Sequence, residues 1–158
     1  MTKHKGYLLT FASGFNRERG IDVGRLVLNH IDRGHQSVWK AWSSHVNGQE
    51  KEGFHQRGGM LPPAYRCPKL RMWKVKTNPN PMPHVAGVSG NFYKINPHEV
   101  VTDRGGHRGD FGIHLDANHP GSLGCIVTDR DRFLDFENTM TRLRAEGVSE
   151  IPLIVVYS

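Results

Sequence analysis

Residues 110–128 read DFGIHLDANHPGSLGCIVT, and our fold prediction begins with these residues. Phe111, Ile113 and Leu115 alternate with other residues, which is the period of a β-strand that buries one face. A loop rich in Gly, Pro and Asn follows and runs to a cysteine. We therefore predict a strand over 110–115 and a tight loop that brings the chain back beside it.

The sequence after this stretch predicts one amphipathic helix and one buried strand. Over 130–146, apolar residues recur at spacings of three and four and form one stripe along a helix. These residues are Phe133, Phe136, Met140 and Leu143. Thr128 or Asp129 can cap the start of the helix, and Gly147 can close its end. The β-branched run 151–157 is suited to a buried strand that returns to the sheet.

The first half of the chain reads as short strands separated by turn signals. The predicted strands are 7–12, 25–29, 37–46, 71–77 and 90–95. Asn47-Gly48 opens a polar loop and predicts a hairpin turn, while 77–84 (TNPNPMPH) predicts a Pro/Asn-rich loop. No repeat or linker divides the chain, so we expect residues 1–158 to form a single domain. The predicted fold class is mainly β, a sheet or sandwich with one packing helix near the C-terminus.

Composition and charge limit the function classes. The chain has 158 residues and a formal net charge of +6, with a pI near 9.6, so it attracts polyanions. Its basic residues are scattered rather than gathered on one helix, so we expect no specific nucleic-acid partner. The longest apolar run, 151–157, is far short of the roughly 20 residues of a membrane span. Residues 1–12 read as a first strand and not as a secretory signal. We expect a monomer.

His114 and Cys125, eleven positions apart, are the pair that carries chemistry. A free thiol has a pKa of about 8.5, so a nucleophilic cysteine needs a histidine or another positive group beside it. We predict that His114 keeps Cys125 partly ionised and serves as acid and base. A backbone carbonyl just after His114, or Asp116, is expected to orient the imidazole ring.

Gly124 is assigned to the catalytic group together with this pair. A glycine lets the backbone turn its N–H groups toward a developing oxyanion, and we expect the donors to come from Gly124 and Cys125, with Leu123 as a third. Ser122 is expected to anchor the turn through a side-chain to backbone hydrogen bond. The residues assigned to substrate binding are Arg108, Ser122, Asp116 and His119. No cofactor and no metal are expected.

At these residues the sequence resembles the catalytic segment of L,D-transpeptidases, the YkuD-like family. That segment has a histidine at the end of a strand, a loop, and Ser-His-Gly-Cys followed by an aliphatic residue. Residues 122–126, SLGCI, match four of these five positions, and 59–63, GMLPP, resemble a proline turn upstream. The specific match begins at about Gly58. The resemblance implies a mostly β cysteine enzyme that acts on peptidoglycan stem peptides, as a transpeptidase, carboxypeptidase or endopeptidase.

The sequence departs from the family pattern in three ways. Leu123 stands where the family has histidine, the loop from His114 to Cys125 is shorter, and Val127 replaces an arginine that often follows. We expect the shorter loop to trim the acceptor side of the cleft and favour hydrolysis. Arg108 becomes the candidate that recognises a substrate carboxylate. An enzyme of this kind, made in the cytoplasm without a signal peptide, would reach the wall as a bacteriophage lysin, a delivered effector or a virion component.

Two other classes stay open. One is a zinc-dependent cell-wall peptidase, because four possible ligands lie close in sequence. They are His107, His114, Asp116 and His119. The other is a non-catalytic basic domain that binds envelope polymer or nucleic acid through charge. Cys67 has no histidine or glycine beside it in the sequence, so we interpret it as a structural thiol. A disulfide between Cys67 and Cys125 would inactivate the nucleophile.

Overall fold

The computed structural model describes residues 4–45 and 53–158, and it confirms a mainly β fold with a large mixed sheet and, within these ranges, one α-helix near the C-terminus. The strands are β1 (Tyr7–Glu18), β2 (Ile21–His30), β3 (Gly34–Ser43), β4 (Trp73–Lys76), β5 (Asn80–Met82), β6 (Gly90–Asn96), β7 (Glu99–Val101), β8 (His107–Gly109), β9 (Gly112–Leu115), β10 (Ile126–Thr128) and β11 (Glu150–Tyr157). The helix is α1 (Arg130–Ala145), and 3-10 turns occupy Gly53–His55 and Ala64–Arg66.

The large sheet closes on itself. Its strand order is β4-β11-β1-β2-β3-β10-β9-β6-β5, and β4 also pairs with β6, so eight strands form a ring to which β5 adds at β6. β1 runs parallel to β11 and β9 runs parallel to β10, while the other pairs in this sheet are antiparallel. β7 and β8 form a separate antiparallel pair. In the wall of this ring β9 and β10 are direct neighbours.

The helix and the last strand lie close to where the sequence places them. α1 begins after Asp129, whose side chain accepts a hydrogen bond from the Arg132 N–H at 3.0 Å, so Asp129 and not Thr128 is the cap. The predicted apolar stripe is buried, and Phe136 meets Trp39 edge to face with ring centroids 5.3 Å apart. β11 pairs with β1 and β4 but is buried on one face only, through Ile151, Leu153 and Val155. The hydrophobic period of the sequence therefore defined both elements.

Other boundaries differ from the prediction. The strand predicted over 110–115 begins only at Gly112, because Asp110 has a φ of +60°, outside the range of extended backbone. The loop predicted over 77–84 contains β5, a short edge strand paired with β6. The hairpin turn predicted at Asn47-Gly48 lies outside the described residues. None of the helices described is both long and apolar enough to cross a membrane.

Candidate active site

His114 and Cys125 lie on the same face of two adjacent strands. His114 is on β9 opposite Val127 of β10, and Cys125 comes directly before β10. Side chains alternate between the faces of a strand, so Cys125 points to the same side as Val127. That side carries a small apolar cluster of Val88, Phe92, Cys125 and Val127, and the Phe92 ring stacks on the His114 ring at 5.7 Å. The fold thus brings the predicted pair to one surface.

The His114 ring is held in one orientation by the backbone. Its Nδ1 lies 2.7 Å from the carbonyl oxygen of Leu115. A carbonyl only accepts hydrogen bonds, so Nδ1 carries the proton and Nε2 of the neutral ring is left with a lone pair. Of the two orienting groups expected from the sequence, the backbone carbonyl is the one that contacts the ring.

The two groups are neutral, which corrects the expectation of an ionised thiol. Burial raises the pKa of the Cys125 thiol to about 11, although the nearby Lys94 and Arg108 charges lower it in part. Burial also lowers the pKa of His114 below its ordinary value. The thiol donates a hydrogen bond to the carbonyl of Asp110, with 3.7 Å between sulfur and oxygen. Near neutral pH the site therefore contains a thiol and an imidazole rather than an ion pair.

This protonation state predicts a loss of stability at alkaline pH. The unfolded thiol ionises at about pH 9 and the folded thiol at about 11, so the unfolded chain releases its proton first and stability falls as pH rises through this window. Between pH 8 and about 10.5, we expect wild type to lose about 2 kcal/mol more than Cys125→Ala in urea unfolding. Cys67→Ala is the matched comparison, because burial raises the pKa of Cys67 to about 11 as well. Equal losses in wild type and Cys125→Ala would contradict the burial of this thiol.

Gly124 meets two requirements at the turn before the nucleophile. Its φ is +105°, a conformation that L side chains rarely adopt. A Cβ there would also lie 2.6 Å from a side-chain nitrogen of Arg108 and 2.6 Å from the Phe111 ring. The Gly124 carbonyl accepts a hydrogen bond from the Ser43 hydroxyl at 3.0 Å. Because the peptide unit is planar and trans, the Cys125 N–H points away from Ser43.

Ser122 and Asp116 fix the loop that carries Cys125. The Ser122 hydroxyl donates to the carbonyl of Cys125 at 2.5 Å, so it anchors the turn as expected and also lines the cleft. The Asp116 carboxylate accepts hydrogen bonds from the Trp42 indole at 2.7 Å and from the Gly121 N–H at 2.8 Å. Asp116 does not line the cleft around Cys125, so its assignment to substrate binding is not supported. It ties the loop to β3 instead.

Arg108 has a structural position, which corrects its predicted role. Its side chain is 4% exposed, and the guanidinium donates to the carbonyls of Phe54, Gly59 and Met60. It also lies over the Phe111 ring, 5.2 Å from the centroid. With its donors directed at backbone, Arg108 supports the turn beneath Gly124 and is not placed to meet a substrate carboxylate.

The four residues considered as zinc ligands do not converge. His107 lies on β8 and pairs with Glu99 at 3.1 Å, away from the cleft that His114 and His119 line. The Asp116 carboxylate already accepts hydrogen bonds from Trp42 and Gly121. Among residues 4–45 and 53–158, no three His, Cys, Asp or Glu side chains are grouped so that they could hold a metal ion. The structure therefore offers no support for the zinc peptidase alternative.

A cleft of about 970 Å³ opens over the pair. Its apolar lining includes Met82, Val85, Val88, Phe92 and Leu123, and its polar lining includes His45, Lys94, His98, Asp110 and His119. Lys94 was not singled out by the sequence. The alternation of β6 could have indicated it, because Lys94 is two residues from Phe92 and shares its face. Leu123 is 65% exposed at the cleft rim.

Cys67 has no part in this cleft. It is buried within the main hydrophobic core, whereas Cys125 belongs to the smaller cluster beneath the cleft. Both thiols are free. No disulfide therefore blocks Cys125.

Fold and site together define a mainly β protein with a cysteine and an oriented histidine in one open cleft. Comparison of the chain with models of protein families, with curated proteins and with solved structures finds no match.

Proposed function

We propose that the chain is a cysteine acyl-transfer enzyme that acts on peptidoglycan stem peptides, with Cys125 as nucleophile and His114 as base. The observation that carries the proposal is the hydrogen bond from Nδ1 of His114 to the Leu115 carbonyl, which leaves Nε2 free to accept a proton in a cleft that Cys125 also lines. The substrate class rests on the resemblance of residues 122–126 to the L,D-transpeptidase segment.

The first half of the reaction begins from the neutral pair. The S–H bond of Cys125 turns from the Asp110 carbonyl toward Nε2 of His114, which takes the proton as sulfur attacks the peptide carbonyl carbon. The N–H of Cys125, held away from Ser43 by the turn, is the donor offered to the oxyanion, with Gly124 as second donor. The C–N bond then breaks, and the proton on Nε2 passes to the leaving amine.

The second half regenerates the thiol. The acyl group is now a thioester on Cys125, and His114 is neutral again. A water molecule or an amine gives a proton to Nε2 and attacks the thioester carbon, after which the sulfur leaves and recovers the proton. The open cleft admits either nucleophile, and the product is a hydrolysed or a transferred peptide accordingly.

Burial of the pair makes a neutral starting state suitable for this chemistry. An imidazolium and a thiolate would both lose hydration in the pocket formed by Phe92, Val88 and Val127. A neutral pair avoids that cost until the substrate carbonyl is in place. The same pocket strengthens hydrogen bonds to the oxyanion, because the local dielectric is low.

The test is digestion of a tetrapeptide stem containing meso-diaminopimelate, read by mass spectrometry. We expect the terminal residue to be released or exchanged for an added amine, and an acyl adduct to be found on the peptide that contains Cys125 after acid quenching. Thiol alkylation should abolish turnover, and a chelator should leave it unchanged. Loss of turnover on addition of the chelator would favour a metal enzyme. Steeply salt-dependent binding to polyanions without turnover would favour a binding domain.

A further inference from the structure

A second depression continues from the cleft and carries positive charge. This basic groove, of about 650 Å³, is lined by Lys76 of β4, Asn80 of β5, Lys94 and Asn96 of β6, and Arg144 of α1, among others. Asn80 and Lys94 line both the groove and the cleft over Cys125, so the two depressions meet there. No Asp or Glu is found among the described residues that line the groove.

Lys94 is fixed at the junction. Its side chain is 18% exposed, and its ammonium donates to Nδ1 of His98 at 2.7 Å and lies 3.9 Å from a carboxylate oxygen of Asp110. His98 in turn lies 3.3 Å from the same oxygen. The Asp110 side chain is 84% exposed, so solvent screens its pairing with Lys94. An ammonium held in this way presents its charge to whatever occupies the junction.

The other two cations are placed by different elements. The Arg144 guanidinium donates to the carbonyl of Thr77 and, at 3.1 Å, to the hydroxyl of Thr141, which holds it at the groove wall. Lys76 lies 4.0 Å from Glu150, a loose and partly exposed pair of small energy. A guanidinium, two ammonium groups and amide side chains are together a set of donors for carboxylates.

We propose that the basic groove binds the free carboxylates of the peptide substrate. Lys94 binds the carboxylate that lies nearest to Cys125. The inference rests on the proposed function, because it takes the acyl donor of Cys125 to be a peptide that bears carboxylates. It reassigns to Lys94 and the groove the recognition that the sequence suggested for Arg108. Carboxylate binding here would fix which peptide carbonyl reaches the sulfur.

The first test compares iodoacetate with iodoacetamide as alkylating agents of Cys125, followed by peptide mass spectrometry. Both reagents react with the same thiolate, so the ratio of their rates cancels any change in thiol ionisation. Only iodoacetate is negatively charged, so the ratio reports the charge near Cys125. In Lys94→Met, we expect the iodoacetate to iodoacetamide ratio to fall roughly fivefold, as expected for loss of one nearby charge. Lys74→Met is the matched control, because Lys74 also pairs with Glu150 yet lines neither depression. An unchanged ratio in Lys94→Met would overturn the inference.

The second test uses a stem tetrapeptide and the same peptide with its free carboxylates amidated. Lys76→Met and Lys94→Met should each raise KM for the acidic peptide roughly fivefold and leave KM for the amidated peptide unchanged. An equal rise with both peptides would overturn carboxylate recognition. Absence of turnover in wild type contradicts the proposed function alone, and the alkylation ratio then decides the groove. Protection of Cys125 by a single-stranded oligonucleotide at lower concentration than by the acidic peptide would assign the groove to polyanions and overturn the inference.

Discussion

Replacement of Cys125 by alanine is expected to reduce turnover of the stem tetrapeptide by at least about 10⁴-fold, to the level of the peptide alone. The reason is that no thioester can form without the sulfur, and water has no activated path to the carbonyl. Alanine keeps the backbone of the turn, so the hydrogen bonds from Ser122 and Ser43 to the neighbouring carbonyls remain possible. The measurement is product formation by mass spectrometry at matched enzyme concentration.

Cys67→Ala is the control for this variant, because Cys67 is also a buried thiol but belongs to the other cluster. We expect it to retain wild-type turnover. His114→Ala should lose about 10³-fold, and the double variant Cys125→Ala with His114→Ala should be no slower than Cys125→Ala alone, since the two groups act as a unit. Activity in Cys125→Ala near that of wild type would refute the proposed nucleophile, and additive losses in the double variant would refute the paired mechanism.

The elements with strong hydrophobic periods could be predicted from the sequence. α1 and β11 begin and end within a residue or two of the predicted bounds, since α1 has a regular apolar stripe with a cap and β11 is a β-branched, apolar run. Short strands such as β5 and β8 carry no such pattern, and they exist because neighbouring strands supply hydrogen bonds. Closure of the ring through β4 and β6 joins distant segments, which local patterns do not reveal.

Some features of the candidate site could also be predicted from the sequence, and others could not. His114 and Cys125 share one cleft because β9 and β10 are direct neighbours, but these strands are parallel, whereas the tight return loop that we predicted would have made them antiparallel. The predicted partial ionisation of the Cys125 thiol was wrong, because the pKa of this thiol depends on burial. Phe92 and Val88, which bury it, come from a different part of the chain. The groove around Lys94 was missed for the same reason: its lining comes from β4, β5, β6 and α1.

Arg108 shows why a charged residue near a motif is a poor guide to substrate binding. Sequence places it six residues before His114, and nothing local distinguishes a buried arginine from a substrate-facing one. Its partners are carbonyls of residues 54–60, a segment without regular strands whose backbone oxygens need donors. One guanidinium satisfies three of them, which a lysine could not do with the same planar fork.

Arg108→Met is therefore expected to destabilise the fold by about 4 kcal/mol, the sum of a lost charge-assisted network and of buried carbonyls left without their donor. The side chain is 4% exposed, so water cannot easily replace the guanidinium. Urea unfolding measures the loss, and Arg25→Met, at an exposed arginine of β2, is the control that should change by less than about 0.5 kcal/mol.

Arg108→Lys extends this test to the case in which the methionine variant fails to fold. Lysine keeps the charge and loses the fork, so it should lie between wild type and Arg108→Met in stability. Because the guanidinium lies beneath Gly124, we also expect Arg108→Lys to lower kcat for the stem peptide while KM changes little, as the turn that holds the Cys125 N–H relaxes. A rise in KM for acidic peptides with kcat unchanged would instead return the carboxylate to Arg108, and stability equal to wild type in both variants would show that the three carbonyls do not depend on this residue.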